Sequence, residues 1–165
     1  MLVMATEFKL IFRMTARAAG DVVCFKQDGQ RFDQTHTVKL NTDTEYDLKF
    51  TLKPAIYVDK LMINGELHKL ELCTDIKDES EDVRTYRTQY ETVGHDVTKK
   101  GKRKELLFVL ELENGVYMKI SLQCKLYKVG ETDHSHWGQK LTTVDMDCKM
   151  EEGHNYVTIM REKYL

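Results

Sequence analysis

At 165 residues, 41% hydrophobic and 32% charged, the chain is long enough for one domain with one core, and its composition is that of a soluble globular protein. Its 25 lysines and arginines nearly balance 27 aspartates and glutamates, and the formal charge of −2 offers no electrostatic footprint for nucleic acid. Glu7, Lys9 and Arg13 break up the apolar residues near the start, which argues against a signal-peptide core or a transmembrane span and makes the cytoplasm the expected compartment.

The first strand expected in chain order is Phe8 to Met14. From residue 22 the chain reads Val-Val-Cys-Phe-Lys-Gln-Asp-Gly-Gln-Arg-Phe and, two residues later, Thr-His-Thr-Val-Lys-Leu. Asp28-Gly29 supplies the positive φ angles of a two-residue hairpin turn, so its flanks are expected to pair as antiparallel strands. Gln30 and Arg31 then set an amide and a permanently charged guanidinium beside Phe25 and Phe32 at the rim of a sheet, as a solvated edge or as a contact surface. Tyr46, Leu48, Phe50 and Leu52 alternate with Glu45, Asp47, Lys49 and Thr51, the two-residue period of a half-buried strand. Asn64-Gly65 marks a further turn between Leu61-Met62-Ile63 and the segment Leu67 to Leu72.

Asp75 to Asp82 is acidic and Lys99 to Lys104 basic. Both are short enough to be solvated loops, with phosphate or anionic-lipid contact by Lys99, Lys100, Lys102, Arg103 and Lys104 as the alternative. Between them, Val83 to Tyr90 is a strand candidate. Leu106 to Leu112 is apolar on both faces and should be central, and Asn114-Gly115 joins it as a hairpin to Val116–Tyr127. In that last run Met118, Ile120, Leu122, Cys124 and Leu126 face one way; it is about twice the usual strand length, so a bend or bulge is expected within it. Leu141 to Cys148 and Tyr156 to Met160 complete the set. Roughly nine or ten strands, one proline and no long helical pattern predict a single all-β domain over 1–165, an antiparallel sandwich or flattened barrel.

Chemistry-bearing residues are sparse. Cys24, Cys73, Cys124 and Cys148 lie far apart without a Cys-x-x-Cys pair and are expected to remain thiols, so neither a zinc site nor a cofactor is anticipated. Asp133, His134, Ser135 and His136 hold the residue types of a catalytic triad, but consecutive residues of an extended loop point different ways, and no enzymatic activity is expected. His134 and His136 would share one face of a strand and could bind a metal there; an exposed or hydrogen-bonded pair is the other reading. Trp137, the only tryptophan, either plugs one end of the sandwich or lines a pocket mouth.

Two blocks carry a family resemblance. Asp28-Gly29-Gln30-Arg31-Phe32, preceded by Phe25-Lys26, resembles the hairpin of the cannabinoid receptor-interacting protein family, and Asp133-His134-Ser135-His136-Trp137-Gly138 resembles that family's Asp-His-x-x-Trp-Gly segment. With Cys148-Lys149 the resemblance runs from about residue 22 onward, while the first twenty residues, the charged loop from Asp75 to Asp82 and the last four residues depart from it. It implies an immunoglobulin-like β-sandwich similar to Rho GDP-dissociation inhibitors. It also implies a non-catalytic protein that binds the cytoplasmic carboxyl-terminal tail of a type-1 cannabinoid-like receptor and modulates its signalling, with Gln30, Arg31, Phe32, His134 and Trp137 as the rim that meets the partner. The alternative is a carrier that shields the lipid chain of a lipidated protein, such as a small GTPase, between its sheets, with Phe50, Leu52, Ile63, Leu110, Met118, Ile120 and Leu122 lining the cleft. Leu2 in place of glycine and the absence of a prenylation cysteine near Leu165 lead to the expectation that any membrane association comes through a partner. Lys163, where a PDZ ligand would carry a hydroxyl residue, argues against PDZ binding by Leu165.

Overall fold

The computed structural model describes residues 6–18, 23–74 and 82–165; the expected acidic loop up to residue 81, and Val22 at the start of the hairpin, lie outside the described residues. Among the described residues thirteen strands follow one another: β1 (Thr6–Ala16), β2 (Cys24–Gln27), β3 (His36–Asn41), β4 (Glu45–Lys53), β5 (Val58–Ile63), β6 (Glu66–His68), β7 (Glu71–Leu72), β8 (Arg84–Glu91), β9 (Lys104–Leu112), β10 (Tyr117–Tyr127), β11 (Gln139–Lys140), β12 (Val144–Met150) and β13 (Val157–Tyr164). They form a six-stranded sheet in the order β13-β12-β1-β4-β8-β7 and a seven-stranded sheet in the order β11-β2-β3-β10-β9-β5-β6. The sheets stay separate, so of the two expected shapes the sandwich is the one adopted. The excess over nine or ten strands comes from short pieces such as β6, β7 and β11, too brief to show a period in sequence.

Alternation builds the long strands. β1 buries Phe8, Leu10, Phe12 and Met14, and β4 buries Tyr46, Leu48, Phe50 and Leu52 on the same face, in a register that sets Phe12 opposite Phe50. β9 contributes Leu106, Phe108 and Leu110, and β10 contributes Met118, Ile120 and Leu122 from the other sheet. Phe108 meets Phe12 and Phe50 at ring-centroid distances of 5.3 and 5.7 Å, joining the two sheets at the centre of the core. Two buried phenols tie backbone into it: Tyr46 accepts the Asn41 N–H at 2.7 Å, and Tyr86 accepts that of Val58 at 3.0 Å.

Four expectations are corrected. β2 and β3 do pair antiparallel, but the closing pair is Gln27 with His36, so Asp28–Thr35 is an eight-residue loop and not a two-residue turn. Leu67 to Leu72 is two strands: the chain leaves the seven-stranded sheet after His68 and joins the six-stranded sheet at Glu71, leaving Leu67 exposed at an edge. β10 is as long as expected, yet its register against β9 runs unbroken from Tyr117 to Cys124 without a bulge. Bulges occur instead in β5 between Val58 and Lys60 and in β13 at Met160, opposite Asp147 and Cys148 of β12. Finally, β10 pairs parallel with β3 over Cys124–Tyr127, so the seven-stranded sheet is mixed. Asn64-Gly65 is the two-residue turn expected of it, with φ of 50° and 84°, while Asn114-Gly115 closes its hairpin within a three-residue loop.

Candidate partner-binding surface

β3 turns Val38 and Leu40 into the core and Thr37, Lys39 and Asn41 to the outer face, yet all three outward residues are buried. Two loops cover them. The first is Asp28–Thr35. Its Asp28 turns inward to accept hydrogen bonds from the Thr37 hydroxyl and from Nε of Arg103 at 3.1 Å, with Arg103 Nη2 ion-paired at 3.1 Å and Lys26 Nζ at 3.9 Å. Asp28 and Arg103 side chains are each only 6% exposed. Burial pushes the Asp28 carboxyl up, but the Thr37 hydroxyl and the Arg103 guanidinium outweigh it and hold the group below its usual range. The Asp28 N–H donates to the Thr35 carbonyl at 2.7 Å, and Gly29 takes φ of 65° to reverse the chain. Gln34 fastens the far side of the loop: its N–H donates to Gln123 Oε1 at 3.1 Å, Gln123 Nε2 donates to the Gln34 carbonyl at 2.9 Å, and Gln34 Nε2 reaches the Ser121 carbonyl at 3.1 Å.

The second loop, residues 128–138, is held by the next two outward residues of β3. Asn41 Nδ2 donates to the carbonyls of Lys128 and Glu131 at 3.0 and 2.7 Å. Lys39 Nζ donates to the carbonyls of Trp137 and His134 at 2.6 and 3.1 Å and lies 5.3 Å from the Trp137 ring. Gly138 is required here: its φ is 114°, and a Cβ would meet the Phe25 carbonyl oxygen at 3.2 Å and Lys39 Nζ at 3.4 Å. The Ser135 hydroxyl is buried and donates to the Glu131 carbonyl at 2.7 Å, and His134 stacks on Tyr127 at 6.3 Å. Ser135 is therefore committed to the loop's own architecture and His134 to Tyr127, while Asp133 and His136 are exposed. Trp137 is 72% exposed, which corrects its reading as a plug.

Because both loops dock on the same face of β3, the five rim residues share one face of the seven-stranded sheet. Gln30 and Arg31 are exposed and Phe32 half-buried on the first loop, and His134 and Trp137 are exposed on the second. Phe32 lies under Arg103 at 4.1 Å and near Arg31 at 5.3 Å. Of the basic loop, Lys99, Lys100, Lys102 and Lys104 are exposed, but Arg103 is the buried partner of Asp28 and no part of a solvated loop. Lys26, Lys39 and Lys125 surround this pair, and each ammonium is pushed down, first by burial and then, for Lys26 and Lys125, by the neighbouring cations. Lys39, Asn41, Gln34 and Gln123 escape sequence reading: a polar residue at an outward strand position looks solvated unless the covering loop is known.

The seven residues considered as a cleft lining, Phe50, Leu52, Ile63, Leu110, Met118, Ile120 and Leu122, are each 0–1% exposed and pack in the closed interior. A crevice between the sheets bounded by Leu40, Tyr90, Leu106 and Cys124 holds about 10 Å³, and a hollow of about 150 Å³ lies below the second loop against Ala16, Val23, Tyr46 and Ser135. Leu165 pairs through its backbone with Thr142 and Thr143, bonds with which a PDZ domain would have to compete.

A family model described as CB1 cannabinoid receptor-interacting protein 1 matches residues 4–164, so the likeness starts well before residue 22 and takes in the first strand. Among curated proteins, CB1 cannabinoid receptor-interacting protein 1 of Homo sapiens is 31% identical over 144 residues, covering 87% of this chain and 87% of its own. The proteins of the same description from Bos taurus and Rattus norvegicus are 30% and 31% identical over the same 87% of both chains.

Proposed function

Since the chain belongs to the CB1 cannabinoid receptor-interacting protein 1 family, we propose that it is a non-catalytic binding protein that takes the cytoplasmic carboxyl-terminal tail of a type-1 cannabinoid-like receptor and modulates its signalling. The observation that carries this reading is the docking of two sequence-distant loops, Asp28–Thr35 and 128–138, on one sheet face, where Arg31, Phe32 and Trp137 offer a cation and aromatic area. Such groups supply most of the energy of a protein interface. The protein then sits at the cytoplasmic side of the receptor's membrane, held there by its partner. A lipid chain entering between the sheets would have to part a closed interior, whereas a peptide can bind the rim with the sandwich intact.

The test is a titration of the protein with a receptor-tail peptide in acylated and plain forms, followed by Trp137 fluorescence and calorimetry. Binding of both forms, weakened about tenfold by Arg31→Ala without loss of folding, supports the rim; binding of the acylated form alone makes the protein a lipid carrier.

A further inference from the structure

Cations cluster on the outer face beside the two loops, and the loops' own Asp33, Glu131 and Asp133 form no ion pair with them within 4.0 Å among the described residues. Across the outer face, Lys140 of β11 lies opposite Cys24, Cys24 opposite Lys39, and Lys39 opposite Lys125, so three lysines share one cross-strand row. Like charges directly opposite one another destabilise a sheet. Lys26, opposite Thr37, stands one row away, and Arg103 and Arg31 lie against Phe32; the three oppose the protonation of Lys125, which Asp28 favours. Asp28 is engaged by Arg103 and Lys26. Lys39 is engaged by loop carbonyls. Arg31 and Lys125 meet no carboxylate within 4.0 Å among the described residues; each lies 5.3 Å from an aromatic ring instead, Phe32 and Tyr127 respectively. Lys26 and Lys125 are half-buried between the two loops, so an anion must reach down to them. An extended peptide can do this, whereas a flat layer of lipid headgroups meets only the loop tips.

We infer that this cationic face receives a phosphorylated serine or threonine of an extended peptide, its oxygens paired by Lys125, Lys26 and Arg31 and its flanking residues gripped by Phe32 and Trp137. A phosphate's double charge and three acceptor oxygens match several convergent cations better than one carboxylate does. The inference rests on the reading of this face as the partner's, and it specifies the chemistry that the face selects.

The experiment titrates the full chain, by Trp137 fluorescence and calorimetry, with a receptor-tail peptide and with a scrambled peptide, each plain and carrying one phosphoserine, and with phosphatidylserine vesicles. Phosphorylation is expected to tighten binding about tenfold or more, an advantage lost at high salt and in the Arg31→Ala/Lys125→Ala variant but kept in Lys49→Ala, which removes an exposed lysine of the other sheet; unchanged melting temperatures confirm that both variants fold. Equal affinity for plain and phosphorylated tail overturns the inference and leaves the receptor reading standing. Phosphate-dependent binding of the scrambled peptide, with no binding of either tail form, supports the inference and overturns the receptor reading. Vesicle binding through Arg31 and Lys125 without phosphopeptide binding overturns the inference in favour of a membrane, and binding of no probe overturns it outright.

Discussion

Asp28 and Arg103 are the residues on which the surface most depends, because each is buried and each satisfies the other. Removing one partner strands a charge, so Arg103→Ala should cost about 3 kcal/mol in denaturant unfolding and release Phe32 from its cover. The Asp28 carboxyl titrates below its ordinary value when folded, so its contribution is complete above the unfolded value of about 4 and is lost as the pH falls through the lower folded one. Wild type should therefore lose stability in that acid window more steeply than Asp28→Asn, as pH-resolved melting would show. At the cysteines, burial raises the Cys124 and Cys148 thiols to about 12 and Cys24 above its usual value, while Cys73 is only half-buried. One equivalent of a thiol reagent should label the native protein rapidly, at Cys73; mass spectrometry finding Cys24 labelled as fast would contradict the burial of the β2 outer face.

At the scale of elements, β4 and β10 lie where their two-residue period puts them, and β1, β8 and β9 lie close to the strand candidates Phe8–Met14, Val83–Tyr90 and Leu106–Leu112. What escaped the sequence was the covering of an outer face. Thr37, Lys39, Asn41 and Gln123 look like ordinary solvent-facing positions, and only the two loops folded over them make them structural. The Asp28-Gly29 pair misled for a related reason: the carboxylate that would sit at an exposed turn is drawn inward by Arg103, far along the chain, and the loop lengthens around that contact. Gln123→Ala removes the bonds to Gln34 and Thr37, and is expected to speed hydrogen exchange across Asp28–Thr35 while β9 and β10 stay protected. Gly138→Ala should cost about 1–2 kcal/mol and shift Trp137 emission, since it combines a positive φ with a close approach to the Phe25 carbonyl.

For the whole molecule, Phe12, Phe50 and Phe108 join the two sheets, and Phe108→Ala should lower stability by about 3–5 kcal/mol. The apolar faces were readable in sequence; whether they enclosed a cleft or filled one another was not, because both demand the same residues. The closed interior moves the expected binding outward, to the face where the family's two sequence blocks come together. Amide chemical-shift mapping of the protein with a plain receptor-tail peptide tests this most directly. Shifts concentrated in Asp28–Thr35, residues 128–138 and the outward positions of β3 are predicted, and shifts confined to the interior of β4, β9 and β10 or to the outer face of the six-stranded sheet would contradict the account.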